Sequence, residues 1–278
     1  ISMKFLLPGS NALPLIRVAR AAVCAATAAT LLLSSQGIAK EPLGKLASVY
    51  SAILDKAYNP PPRRRSGRTR AGTSGGVRGC GEPLVALAPQ LHSDGQTTSR
   101  YPTLTWYNFN NSSPFTEIEL YKYQPDGSLE EVFIRPVDIE SSGYTSYTIP
   151  ETDEGLTVGS TYLWKVVDYC DELYEEISFQ VAANITVMEQ DEIADSPAEG
   201  TSVEQARAYA ENGIWYDALV LVYTAADAES VALRQELIMD LAGFEQDFID
   251  ENQQRFSEWQ LESLSGTIER LEEVSQLP

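Results

Sequence analysis

The hydrophobic period of this chain changes once, near residue 200, and that change confines it to an α+β fold with its strands first. Between Pro83 and Val187 the apolar residues fall in short runs: Leu84–Leu87, Thr103–Phe109, Glu117–Tyr123, Glu131–Arg135, Tyr144–Ile149, Thr161–Asp168 and Glu175–Val181. These runs are rich in β-branched and aromatic residues. Several alternate with a period of two, so that Leu104, Trp106 and Asn108 face opposite to Thr105, Tyr107 and Phe109. Pro125-Asp126-Gly127 supplies the dihedrals of a hairpin turn. Seven short strands over about 100 residues predict an antiparallel β-sandwich spanning 83–188.

From Thr201 the period becomes helical, and a helical region is expected over 199–276. Ser202-x-x-Gln205 has the form of a capping box, with Thr201-x-x-Glu204 a one-residue alternative. Ala206, Tyr209, Ala210, Gly213, Trp215, Ala218, Val222 and Ala225 follow in an order that resembles one tetratricopeptide repeat. In that register Gly213 ends the first helix in a left-handed turn, Trp215 packs near Tyr209 and Ala210, and Ala218 lets the backbones approach. Asp247 stands at the next expected glycine position, so a second standard repeat is absent. Val231–Leu241 predicts a covering helix and Phe256–Val274 a longer terminal one.

The segment before the strands reads differently. Residues 3–39 have the parts of a secretory signal peptide: Lys4, Arg17 and Arg20, an apolar run from Ala21 to Leu33, and small residues at Gly37 and Ala39. An uncleaved anchor is the alternative. The expected location is extracytoplasmic: periplasmic, associated with an outer membrane, or secreted. Residues 40–82 read as a flexible linker. Leu43–Tyr58 could form a short amphipathic helix or arm, and Pro60, Pro61 and Pro62 end it. Arg63, Arg64, Arg65, Arg68, Arg70 and Arg78 then lie among Gly, Ser and Thr, a composition that buries no apolar face. The first five are candidates for contact with an anionic surface, against the plainer reading of a solvated linker.

Charge narrows the partners. The chain has 40 acidic and 20 basic residues, for a net charge of −20. Removing three basic residues with the signal peptide would take it to −23. Nucleic acid is a poor partner for such a chain, because phosphate binding draws on clustered Lys and Arg. Other envelope proteins or anionic surface polymers fit the basic stretch better. No further apolar run reaches spanning length. Of three cysteines, Cys24 lies in the presumed signal peptide, which leaves Cys80 and Cys170 as an expected disulfide. A metal pair is the alternative, although no histidine is near either one.

Catalytic chemistry is hard to assemble. His92 is the only histidine, in a polar loop beside Ser93 and Asp94. Asp168, Asp171, Glu172, Glu175 and Glu176 cluster around Cys170; solvated acidic loops are the favoured reading, with weak calcium binding and then glycoside hydrolysis as the alternatives. Leu156-x-x-Gly159-x-x-Tyr162-x-Trp164-x-Val166 and Pro102-x-Leu104-x-Trp106 resemble core strands of immunoglobulin- and fibronectin-like sandwiches, so Trp106 and Trp164 read as core residues, with a carbohydrate platform as the rival. Asn110, Asn111 and Asn184 match glycosylation sequons. No cofactor or metal is expected. The leading expectation is a non-enzymatic exported docking protein; the runner-up is a secreted carboxylate-based hydrolase acting on envelope glycans.

Taken in order, several motifs resemble a secreted cyanobacterial family catalogued as domain of unknown function 928. They are Pro-Pro-Arg-Arg-Arg with Gly-Arg-Thr-Arg-Ala-Gly, Arg78-Gly79-Cys80, Leu84–Pro89, Tyr162-x-Trp164 followed by Cys170, and Tyr209-Ala-Glu-Asn-Gly213-Ile-Trp215-Tyr216-Asp217-Ala218-Leu219. The resemblance spans about residues 60–242. It implies a compartment and a fold, and brings no established activity or site.

Overall fold

A computed structural model describes residues 56–62, 74–75, 81–110, 113–139, 141–189 and 200–277. The presumed signal peptide, the five candidate arginines, Arg78 and Cys80 lie outside the described residues.

The strands are β1 (Ser74–Gly75), β2 (Leu84–Ala86), β3 (Gly95–Thr97), β4 (Thr103–Asn108), β5 (Ser113–Tyr123), β6 (Leu129–Ile139), β7 (Gly143–Thr148), β8 (Thr161–Tyr169) and β9 (Ile177–Val187). They form two sheets. The larger runs β1-β9-β8-β5-β6 and the smaller β2-β4-β7. All seven expected runs are present as strands. One pairing departs from the antiparallel expectation: β3 joins β9 in parallel, with Gly95 opposite Ile185 and Thr97 opposite Val187. The alternation expected of half-buried strands also fails at the centre. On β8, Tyr162, Leu163, Trp164, Val166 and Val167 are all buried, because both faces of this strand are covered.

The β5–β6 hairpin turns where the sequence puts it. Gly127 N–H donates to the Gln124 carbonyl at 2.9 Å, and Asp126 Oδ1 accepts from Ser128 N at 2.9 Å. Both strands run longer than their apolar runs predict, through Pro114 on β5 and Pro136 on β6. Proline is tolerated on β6 because it is the terminal strand of the larger sheet.

The helices are α1 (Ser202–Glu211), α2 (Trp215–Val220), α3 (Ala228–Asn252) and α4 (Glu258–Ser275). The one-residue alternative caps α1: Thr201 Oγ1 accepts from Glu204 N at 3.2 Å, and Glu204 Oε2 accepts from Thr201 N at 2.8 Å. Sheets and helices share one apolar core, in which Leu84, Leu104, Trp106 and Trp164 are continuous with Trp215, Leu219, Leu237 and Leu271.

The span expected to be a flexible linker is interrupted twice by ordered contacts. Tyr58 is 1 % exposed and packs edge-on against Trp215, with ring centroids 4.8 Å apart. Ser74 and Gly75 pair with Gln180 and Phe179 of β9. Composition does not reveal either anchor, since each is supplied by distant partners. No helix among the described residues is long and apolar enough to cross a membrane.

Candidate functional site

Two places gather polar side chains: the seam where the helices meet the sheets, and the outer face of the larger sheet near Cys170. The seam comes first because the helical motif runs through it. Gly213 has φ +78° and turns the chain between α1 and α2. Trp215 then enters the core completely. Its indole N–H donates to the Leu87 carbonyl at 2.8 Å and its ring meets Tyr58, a residue of the presumed linker. Ala218 is fully buried beside it in the same core, while Tyr209 is only partly buried.

Tyr216 carries the seam further. Its hydroxyl accepts the Trp164 indole N–H at 2.7 Å and donates to the Asn184 carbonyl at 3.0 Å. Asn184 Oδ1 accepts from the Tyr123 hydroxyl at 3.2 Å, and its Nδ2 donates to Asp94 Oδ1 at 2.8 Å. Burial pushes the Tyr216 phenol well above its ordinary range, so it is a neutral structural hydroxyl. A β-carbon on Gly95 would lie 2.6 Å from the Tyr216 ring, which explains glycine at the start of β3. Asn184 is 6 % exposed and both ends of its amide are bonded, so this sequon is closed to glycosylation in the folded chain.

Asp217 accepts from Thr98 N at 3.2 Å and Thr98 Oγ1 at 2.7 Å; burial raises its carboxyl despite those bonds. Glu245, 2 % exposed on α3, accepts from three consecutive backbone N–H groups: Gln90 at 2.8 Å, Leu91 at 2.8 Å and His92 at 3.2 Å. His92 stacks on Phe244 with centroids 5.3 Å apart. Ser93 is buried, and Asp94 Oδ1 accepts from Asn184 Nδ2 at 2.8 Å. Arg234, 2 % exposed, donates through Nη1 to the carbonyls of Val222, Tyr223 and Ala225 beyond α2, with its guanidinium 4.6 Å from the Tyr144 ring centroid.

The second place was missed in the sequence because its members come from different strands. On β5 and β8, Glu119 Oε2 accepts from the Tyr121 hydroxyl at 2.8 Å and pairs with Lys165 Nζ at 3.0 Å. The ammonium lies 4.8 Å from the Tyr121 ring centroid. Burial and then Glu119 raise the Tyr121 phenol; burial and then Glu117 push Tyr169 up to about 12. Tyr169 meets Tyr174, whose φ of +56° is the sole left-handed non-glycine among the described residues. The pairing of Glu119 with Lys165 and Glu117 with Val167 could have signalled this cluster only once the register was known.

The acidic run around Cys170 does not converge. Asp168 is buried and accepts from Thr116 Oγ1 at 3.0 Å, while Glu172, Glu175 and Glu176 are exposed on the β8–β9 loop. Among the described residues no group of three or more His, Cys, Asp or Glu is placed to hold a metal ion. Trp106 and Trp164 are fully buried, so neither is a carbohydrate platform. Cys170 is disulfide-bonded.

The Gly95 turn of β3, the Trp164 strand and the α1–α2 pair all fall within residues 65–241. Over that span the chain matches the family described as Domain of Unknown Function (DUF928). The chain belongs to the DUF928 family. No curated protein matches it. The DUF928 span holds both sheets and the seam motif, but ends inside α3. Tyr58 and Glu245, which complete the seam of this DUF928 chain, lie on either side of it.

Proposed function

We propose that this is an exported, non-enzymatic envelope protein that docks other envelope proteins or anionic surface polymers. The observation that carries the reading is that both ends of the arginine-bearing stretch are held. Pro61 lies where a β-carbon on Gly213 would approach its Cδ to 3.2 Å, and Ser74–Gly75 is fixed to β9. In sequence, Arg63, Arg64, Arg65, Arg68 and Arg70 fall between these two points of an otherwise acidic chain, and such a basic stretch suits an anionic partner. The two strand layers suit an immunoglobulin-like sandwich, and the Gly213 turn with small residues at Ala206 and Ala218 suits a single tetratricopeptide-like hairpin. The bonded partner of Cys170 is proposed to be Cys80, since Cys24 falls in the signal peptide.

The rival hydrolase has Glu117 and Glu119 as its best pair. They sit two residues apart on one strand face, about 7 Å between Cα atoms, on the same side of any ligand. A glycosidase pair flanks its bond from opposite sides. Glu119 is also committed to Lys165 and Tyr121.

Affinity capture from the native envelope, followed by mass spectrometry, tests the proposal. The chain with all five arginines changed to Gln should lose its partner at unchanged melting temperature. Equal capture by both forms would remove the arginines from the function. Release of sugar from envelope glycans, abolished by Glu119→Gln, would favour the hydrolase.

A further inference from the structure

The Lys56–Pro62 segment meets the helices as a peptide ligand meets a receptor. Tyr58 is its anchor, buried between Trp215 and Phe244, with centroids 4.8 and 6.0 Å away. Its backbone N–H donates to Asp240 Oδ2 at 3.1 Å. The next residue reads the end of α1. Asn59 N donates to the Ala210 carbonyl at 3.0 Å, and Asn59 Nδ2 donates to the Glu211 carbonyl at 3.2 Å. The Ala210 carbonyl also accepts from Gly213 N at 3.0 Å, so Asn59 takes its second lone pair, and the last turn of α1 presents carbonyls to an extended chain. On the other side, Lys56 Nζ lies 3.7 Å from the Phe244 ring centroid. Pro60, Pro61 and Pro62 restrict the segment to an extended form before it docks, which lowers the ordering cost.

Gly213 makes the close approach possible. A β-carbon there would stand 3.0 Å from the Asn59 carbonyl oxygen. The positive φ of this glycine thus serves two ends, turning the hairpin and leaving room for the segment. None of these contacts is covalent.

We infer that α1, α2 and α3 form a peptide-receiving groove whose ligand is the chain's own Lys56–Pro62 segment, bound in cis and exchangeable for a free peptide of the same sequence. The recognised chemistry is a tyrosine followed by Asn-Pro-Pro in extended form. The inference does not depend on export or on what the arginines bind.

The test uses the full chain, folded intact, with a specific protease site inserted between Gly67 and Arg68 and cut after folding. A fluorescent peptide covering residues 54–62 is then added in excess. The expected result is that the N-terminal fragment co-elutes with the body and is displaced by the peptide. A peptide with Tyr58→Ala should compete roughly thirtyfold less well or worse. Immediate loss of the fragment with no change in melting temperature would overturn the inference, because the groove would then hold nothing. A fragment that stays bound and never exchanges would also overturn it, making the segment a fixed core element.

Discussion

The helix–sheet seam and the β5–β6 hairpin stand in opposite relations to water. At the seam, groups that could do chemistry are buried and spent on one another: Tyr216 with Trp164 and Asn184, Asp217 with Thr98, and Glu245 with three backbone N–H groups. On β6, residues that could build a core face water instead, with Val132 at 43 % and Ile134 at 41 % exposure. Polar groups that are buried and bonded cost a great deal to remove, whereas exposed apolar side chains contribute little to folding. The seam is therefore frame. The hairpin is the part whose surface can change without touching the fold.

The comparison breaks most visibly if Trp215 proves dispensable. Trp215→Ala should lower stability by about 3–5 kcal/mol in thermal or denaturant melts, through lost packing on Tyr58 and an orphaned Leu87 carbonyl. An unchanged melting temperature would place the tryptophan outside the frame.

Glu245→Ala should cost about 3 kcal/mol, because the N–H groups of residues 90–92 lose their common acceptor inside the protein. Glu245→Gln keeps one acceptor oxygen and should recover part of that loss. If alanine and glutamine variants melt alike, the three-way cap is not what stabilises this loop.

Asp217 sharpens the comparison through pH. Burial raises its folded pKa above the ordinary 3.8, so the folded state binds the proton more tightly than the unfolded chain. Its contribution to stability is therefore largest at low pH and falls as pH rises through the window between the two values. Asp217→Asn should remove that downward slope. Urea melts of both proteins at several acid pH values would show it, and parallel curves would contradict it.

Smallest of all, Ile134→Thr should shift stability by no more than about 0.5 kcal/mol. A larger loss would mean that the β6 face is covered in solution.

The sheets were legible because period-two runs and the Pro125–Gly127 turn are local signals. β3 was not, since Gly95-Gln96-Thr97 is three residues long and owes its pairing to β9 some ninety positions away. Gly213 could be placed at a turn from spacing, but the contact of Trp215 with Tyr58 could not. Tyr58 sits beside three prolines and a run of arginines, and composition there says only that the segment forms no core of its own. Glu245 looked like one more acid on a charged helix. Its role depends on a loop 153 to 155 positions earlier, and nothing near it in the sequence announces that contact.

The four tryptophans divide unevenly between protein and solvent. Trp106, Trp164 and Trp215 are wholly enclosed, whereas Trp259 on α4 is 69 % exposed. The chain thus carries its own optical label. An aqueous quencher added to the native protein should darken Trp259 while leaving the other three bright. With Trp259→Phe, the remaining emission would come only from enclosed indoles, Trp215 among them, so a shift to longer wavelength would register opening of the core without interference from α4.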